Sequence, residues 1–388
     1  MMKLERGRQG SLRLNLPGKA EYYSFNPSPL DSVVPLQLDD AQIADLARCS
    51  RKIGEVEGMS HFVPNADMYL AMYVRKEALL SSQIEGTQCT FDDMLDPSNS
   101  TAYKREVIDV VNYVSAAELA VREMDRLPLC MKLLREVHAE LLKDARGSDK
   151  HPGEIRTSQN WIGPHGCTIR QAAFVPPNVD DMNDALFRLE NFMNREDLDP
   201  VVKAALVHYQ FETIHPFLDG NGRLGRLLIT LSLINDRVLT KPVFYPSYQL
   251  KLRRSEYYER LTAVRERGAY EEWVSFFCEC MSESAADAAA SLKSLVELHN
   301  RSEKLIREHL ARAATNGLSL LEFLEAHPIV TTASVRDGLG VSRTTASNLI
   351  EDFRKIGILR VGDEDRQRYR QYVYEDYLSI LRAGVDPL

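Results

Sequence analysis

Residues 215–226 read His-Pro-Phe-Leu-Asp-Gly-Asn-Gly-Arg-Leu-Gly-Arg, which sets a base, a carboxylate, a glycine-rich loop and two arginines within one short stretch. These residue types suit a polyphosphate nucleotide. An unperturbed imidazole titrates near neutrality, so His215 can accept a proton from a hydroxyl. Asp219 offers hard oxygen to Mg²⁺, which keeps several waters and takes one or two carboxylates beside substrate phosphates. Gly220, Asn221 and Gly222 lead into an apolar-periodic segment, which puts their N–H groups at a helix N-terminus, where anions are stabilised. Glycine lets the backbone close round a phosphate. Arg223 and Arg226, three apart on that helix, share a face and can reach the same polyphosphate.

Two helices must hold this run. The first covers Asp199 to Ile214 and reads as amphipathic, with Asp199 as cap and Pro200 at the first helical position. Pro216 stops it, so the imidazole sits at its C-terminal end facing a loop. The second covers Leu224 to Ile234.

The 215–226 run resembles the motif of the Fic family, His-x-Phe-x-(Asp/Glu)-Gly-Asn-Gly-Arg-x-x-Arg, at every defined position. The resemblance implies an all-helical catalytic core. It also implies transfer of AMP from ATP to a serine, threonine or tyrosine hydroxyl of a target protein, or of the chain itself, with release of pyrophosphate. His215 is then the general base and Asp219 the Mg²⁺ ligand. The ATP-binding run is Gly220, Asn221, Gly222, Arg223, Leu224, Gly225 and Arg226. Within it, Asn221 and the glycine amides serve the α- and β-phosphates, and Arg226 the γ-phosphate. Upstream, Ser81-Ser-Gln-Ile-Glu85-Gly86 fits the family's inhibitory pattern, (Ser/Thr)-x-x-x-Glu-(Gly/Asn), in the class whose inhibitory helix precedes the core. There Glu85 pairs with Arg226 in a bidentate manner and denies it to the γ-phosphate. Downstream, Leu252 to Leu261 resembles the segment whose tyrosine lies against adenine; Tyr258 is the choice, with Tyr257 or plain core packing the alternatives. Asn160 to Pro177 reads as a β-hairpin in the position of the family's flap, which pins a target backbone as an added strand.

The rest of the chain bounds these expectations. With 388 residues, 44% hydrophobic and 27% charged, it is ordinary globular material, long enough for two or three domains. A charged start without a signal-length apolar run, and no stretch of about 20 apolar residues, point to the cytoplasm and to no membrane partner. Six scattered cysteines signal neither a disulfide framework nor a zinc site. A net charge of −8 argues against a protein that coats nucleic acid nonspecifically. His151, His165 and His208 belong to no motif and read as structural.

The expected fold class is mainly α: a Fic-type helical core with a small β-hairpin flap, and a C-terminal winged helix-turn-helix. Residues 1–30 read as irregular, 31–126 as the helical domain carrying the inhibitory helix, 127–268 as the catalytic core, 269–315 as a long connecting helix and 316–388 as the winged helix. The connecting helix carries an apolar stripe, read as intramolecular packing with a homodimeric coiled coil as the alternative. In the winged helix, Arg343, Thr344, Thr345 and Asn348 would read bases, and Arg366, Arg368 and Arg370 would touch phosphate. Eight lysines and arginines against six acids over 331–372 make that a mixed surface, so docking of a protein stands beside DNA. Two further readings stay open: a DNA-binding regulator whose core senses nucleotide without turnover, and removal of AMP with Glu85 positioning water. Intact His215 and Asp219 favour the transferase.

Overall fold

The computed structural model describes residues 7–18, 20–63, 66–95, 104–164, 166–310, 313–362 and 370–386. The irregular expectation for residues 1–30 is corrected at once. Gly10–Asn15 (β1) and Tyr22–Pro27 (β2) form an antiparallel pair with Leu12 opposite Phe25. Pro17 falls between the strands and Pro27 ends the second, so the prolines flank the ladder and do not interrupt it. Phe25 is buried against Phe174.

The apolar periodicity that follows emerges as Asp40–Phe62 (α1), Ala66–Ile84 (α2), Phe91–Leu95 (α3) and Lys104–Met124 (α4). Helix α1 opens on a reciprocal capping box between Asp39 and Gln42. Helix α2 ends where Gly86, at a φ of 93°, turns the chain into the left-handed region. Next come Met131–Leu141 (α5), Val179–Met193 (α6), Pro200–Ile214 (α7) and Asn221–Asn235 (α8).

Helix α7 differs from its amphipathic expectation: every residue from Val201 to Ile214 is buried. It is the central rod, with α6, α8 and the long helix below packed round it. Two of its polar residues are fully engaged inside the protein. Lys203 donates to Asp236 at 2.7 Å, and His208 bridges the Gly225 carbonyl at 2.7 Å and the Tyr257 hydroxyl at 2.9 Å. Such partners offset the cost of polar residues on a helix buried on all sides.

Ser247–Leu252 (α9) and Arg254–Arg267 (α10) precede Tyr270–His309 (α11), an unbroken 40-residue helix. Its apolar stripe packs within the chain, against α1, α7, α9 and α10, and the Trp273 indole donates to the Ala205 carbonyl at 2.9 Å. The C-terminal elements are Ala314–Ala326 (α12), Ile329–Thr331 (β3), Thr332–Leu339 (α13), Arg343–Lys355 (α14), Arg360–Val361 (β4), Gln371–Val373 (β5) and Glu375–Leu381 (α15). The three strands form one antiparallel sheet in the order β3-β5-β4. Arg366 and Arg368 lie outside the described residues; Arg370 is exposed. Among the described residues no helix is long and apolar enough to cross a membrane. The six cysteines are free thiols, four of them buried.

Candidate active site

Helices α7 and α8 meet end to start across Pro216–Gly220, which gathers the motif into one place. His215 caps α7 in the left-handed conformation, φ 50°, and its N–H donates to the Phe211 carbonyl at 2.9 Å. Its Nδ1 stands 3.3 Å from the Glu212 carbonyl, an arrangement that puts the proton on Nδ1 and leaves the Nε2 lone pair free. Burial lowers the imidazole to about 4; the Glu212 carbonyl and Glu85 work against that shift, and Arg265 and Arg156 add to it. It is therefore neutral at physiological pH.

Three residues that carry no motif hold this loop. The buried Arg156 donates from Nε to the His215 carbonyl at 3.0 Å and from Nη2 to the Pro177 carbonyl at 2.6 Å. Asn160 donates to the carbonyls of His215, at 3.2 Å, and Phe217, at 3.0 Å. Together they satisfy carbonyls that a helix end leaves without partners. His138, on α5, stacks on Phe217 at 3.8 Å, accepts the Gly153 N–H on Nδ1 at 2.8 Å and bonds the Asp219 carbonyl through Nε2 at 2.9 Å. No motif in the sequence singles out His138.

Asn221 behaves differently from its expected role. Its side chain accepts from the Phe217 N–H at 2.9 Å and donates to the Phe217 carbonyl at 2.8 Å, so the amide shapes the loop. Its backbone N–H lies in the first turn of α8, where an anion is stabilised. Gly220 caps that helix at a φ of 75°, a conformation that a side chain would strain.

The two arginines also part company. Arg226, 1% exposed, donates from Nε to Ser81 Oγ and from Nη2 to the Ser81 carbonyl, both at 2.9 Å, and from Nη2 to Glu85 Oε1 at 2.8 Å. The Glu85 contact is thus single, and the expected two-pronged pair is replaced by a fork shared between Glu85 and Ser81. Burial raises the Glu85 carboxyl, but Arg226, helped by Arg223 and His215, outweighs it and holds the group below its ordinary value. Its side chain stays 33% exposed, so the pair is half-desolvated. Arg223 faces α4, 3.5 Å from Asp109 Oδ1; both are buried, and the two terminal nitrogens of Arg223 have no hydrogen-bond partner. Leu224 is buried core.

Glycines set the spacing. A Cβ on Gly222 would collide with Glu85 Oε1 and stand 3.0 Å from Arg226 Nη1, which locates the Glu85 carboxylate directly over the first turn of α8. A Cβ on Gly225 would collide with Glu212 Oε1, so Gly225 is what allows α7 and α8 to touch. Glu212 itself is buried with Oε1 unpartnered; burial, opposed by Arg226 and Arg265, raises it to about 7.

The two candidate tyrosines differ in burial. Tyr257 is buried and bonded to His208, whereas Tyr258 is 39% exposed, with the Arg254 guanidinium 5.6 Å from its ring centre. The expected flap pairs at one point, Ile162 with Phe174, through bonds of 2.8 and 3.0 Å, and carries a 3-10 turn at Ile169–Gln171. Gly163, Pro164 and Gly166 break a longer ladder. Of the histidines outside the motif, His151 is exposed and His165 lies outside the described residues.

A buried helix pair joined by a left-handed, glycine-bearing turn is the frame of a mainly helical protein. Residues 128–233 match the Fic/DOC family and residues 43–122 match the Fic/DOC family N-terminal region. Protein adenylyltransferase Fic of Drosophila virilis is 30% identical over 223 residues, which cover 53% of this chain and 42% of the relative. The Drosophila mojavensis protein of that name is 30% identical over 280 residues, covering 67% of this chain and 52% of the relative. The chain therefore spans about half the length of the curated relatives it matches. A Fic family protein from Desulfovibrio desulfuricans G20 shares the fold, with a TM-score of 0.58 at 20% identity, over 88% of this chain and 97% of that one. The chain thus carries a Fic/DOC family domain preceded by the N-terminal region of that family.

Proposed function

We propose that the chain is a protein adenylyltransferase that moves AMP from ATP to a side-chain hydroxyl and is held back by its own Glu85. The observation that carries this reading is the Glu85 carboxylate, 2.8 Å from Arg226 Nη2 and seated against Gly222. A carboxylate over a helix N-terminus and on a buried arginine occupies ground that suits the terminal phosphate of a nucleotide. The names of the Drosophila relatives agree with AMP transfer.

The chemistry follows from the chain's own groups. Neutral His215 receives the hydroxyl proton on Nε2 as the oxygen attacks the α-phosphorus, and the bond to pyrophosphate breaks. The amides of the first turn of α8 and the Arg226 fork hold the departing phosphates in line, so most of the catalysis is positioning and charge stabilisation. Asp219 fits a divalent cation: it is a half-buried carboxylate beside the anion cradle, with Oδ1 fixed by the Gly220 N–H at 2.6 Å. Bound there with ATP, Mg²⁺ would neutralise phosphate charge. Tyr258 offers an exposed ring for adenine. The segment 316–388 is proposed as a winged helix, on the order helix, strand, two helices and two strands, with Arg343, Thr344 and Asn348 exposed on α14.

The test is label transfer from α-labelled ATP into protein with Mg²⁺. Wild type should be slow, Glu85→Gly faster, and Glu85→Gly combined with His215→Ala inactive while still binding ATP. Equal rates for wild type and Glu85→Gly would remove the inhibitory role.

A further inference from the structure

The face of α2 opposite the arginine is gripped by the end of the chain. Successive helical residues turn by about 100°, so Ser81 and Glu85 share a face, and Gln83 points the other way. The buried Gln83 side chain donates from Nε2 to the carbonyls of Cys89, at 3.0 Å, and Val385, at 2.9 Å. Ser81 and Glu85 engage Arg226 on one side of this turn while residue 385 engages it on the other.

The segment 382–386 is itself anchored on three elements. Arg382 makes a two-pronged pair with Asp92 of α3, Nε to Oδ1 at 2.8 Å and Nη2 to Oδ2 at 2.7 Å. Lys251 of α9, buried, donates to the carbonyls of Gly384, at 3.3 Å, and Asp386. Gly384, at a φ of 73°, lies so close to the Tyr248 ring that a Cβ would collide with it, and Val385 is buried. None of these contacts touches the nucleotide-facing groups. Farther up α2, Glu77 accepts from the Ser247 N–H at 2.9 Å, so the body of the helix has its own anchor and the C-terminal segment acts on the last turn alone.

We propose that Arg382–Asp386 is a latch that holds the inhibitory turn of α2 on Arg226, so that withdrawal of this segment releases Glu85 and activates the enzyme. The segment follows α15, which packs on α11, so an event that shifts the C-terminal elements has a short path to the active site. The inference rests on the autoinhibited-transferase reading for its effect on activity. The mechanical coupling stands on the contacts alone.

The experiment uses the 388-residue chain with Val385→Asp, which places a charge at a buried position and should expel the segment. Arg382→Ala is the milder companion, should the first compromise folding. Two readouts are taken together: label transfer from α-labelled ATP, and hydrogen exchange over 382–386 and 82–87. Loss of a contact worth one or two kcal/mol shifts an opening equilibrium roughly 5- to 30-fold. Val385→Asp should therefore raise both transfer and exchange at 82–87 by factors of that order. Arg382→Ala should raise them less, and Val385→Asp should add nothing to Glu85→Gly. Fast exchange at 382–386 with 82–87 still protected and transfer still at the wild-type rate would overturn the latch. If Glu85→Gly itself fails to activate, the autoinhibition reading falls. Exchange at 82–87 then decides the coupling alone: acceleration upholds it and protection overturns it.

Discussion

At the residue scale, Arg226 and Glu85 form one contact but should give opposite phenotypes when removed. Glu85→Gly frees the guanidinium for phosphate. Arg226→Ala breaks the same pair yet removes the group that would hold phosphate, so it should leave a enzyme weak in ATP binding and slower by about 10²–10³-fold in the Glu85→Gly background. Equal activation by both changes would mean that Glu85 acts through something other than this arginine. His215 supplies a second prediction. Burial pushes its imidazole down to about 4, while Glu85 is among the groups that favour its charged form. Following its C–H resonance against pH should give a midpoint well below that of a solvated histidine, and Glu85→Gly should move it lower still, because the carboxylate that supported the cation is gone. A midpoint near 6.5 would show that the ring is solvated.

At the scale of elements, the loop between α7 and α8 depends on Asn221 more than on any phosphate contact. Asn221→Ala leaves the buried Phe217 N–H unpaired, whereas the Phe217 carbonyl keeps Asn160. The loss should be about 1–3 kcal/mol of stability, read by denaturant unfolding, together with lost transfer. Asn221→Asp keeps an acceptor for the N–H, so it should cost less stability while its charge repels nucleotide; a variant equally stable and fully active would refute the loop role. This division marks what the sequence could disclose. The motif residues were legible because they sit in one contiguous run, and the α7 and α8 spans because apolar spacing and the Asp199-Pro200 start are local. The loop-holding roles of Arg156, His138 and Asn160, the last read only as the start of the flap, were not, since these residues reach the loop from other segments and act on backbone carbonyls that no pattern reports. Helix α7 read as amphipathic because Lys203, His208, Gln210 and Glu212 are polar, and the burial of the first three goes with partners elsewhere in the chain. The β1–β2 pair was hidden by prolines whose places relative to the ladder only the fold reveals.

At the scale of the whole molecule, the buried helix pair makes stability depend on pH in a way that can be signed. His138 and His208 are fully buried, and burial lowers them to about 4 and about 3 respectively. Unfolded histidine titrates near 6.5, so below that pH the unfolded chain takes up protons that the folded chain refuses. Their stabilisation is complete above 6.5 and declines as pH falls toward the folded values, by about 1.4 kcal/mol per pH unit for each. Glu212 has the opposite sign. Raised to about 7, it costs stability above its unfolded value and returns it as pH falls through the same window, offsetting one histidine between about 6.5 and 4.5. The three groups together should therefore cost close to one histidine's worth, about 1.4 kcal/mol per pH unit, over that range. His208→Gln tests the assignment, because glutamine can still donate to the Gly225 carbonyl but cannot take up a proton. Denaturant unfolding between pH 7 and 4.5 should show its stability falling less steeply than that of the wild type, by about that amount per pH unit. Parallel slopes for the two proteins would show that His208 is not held neutral in the core.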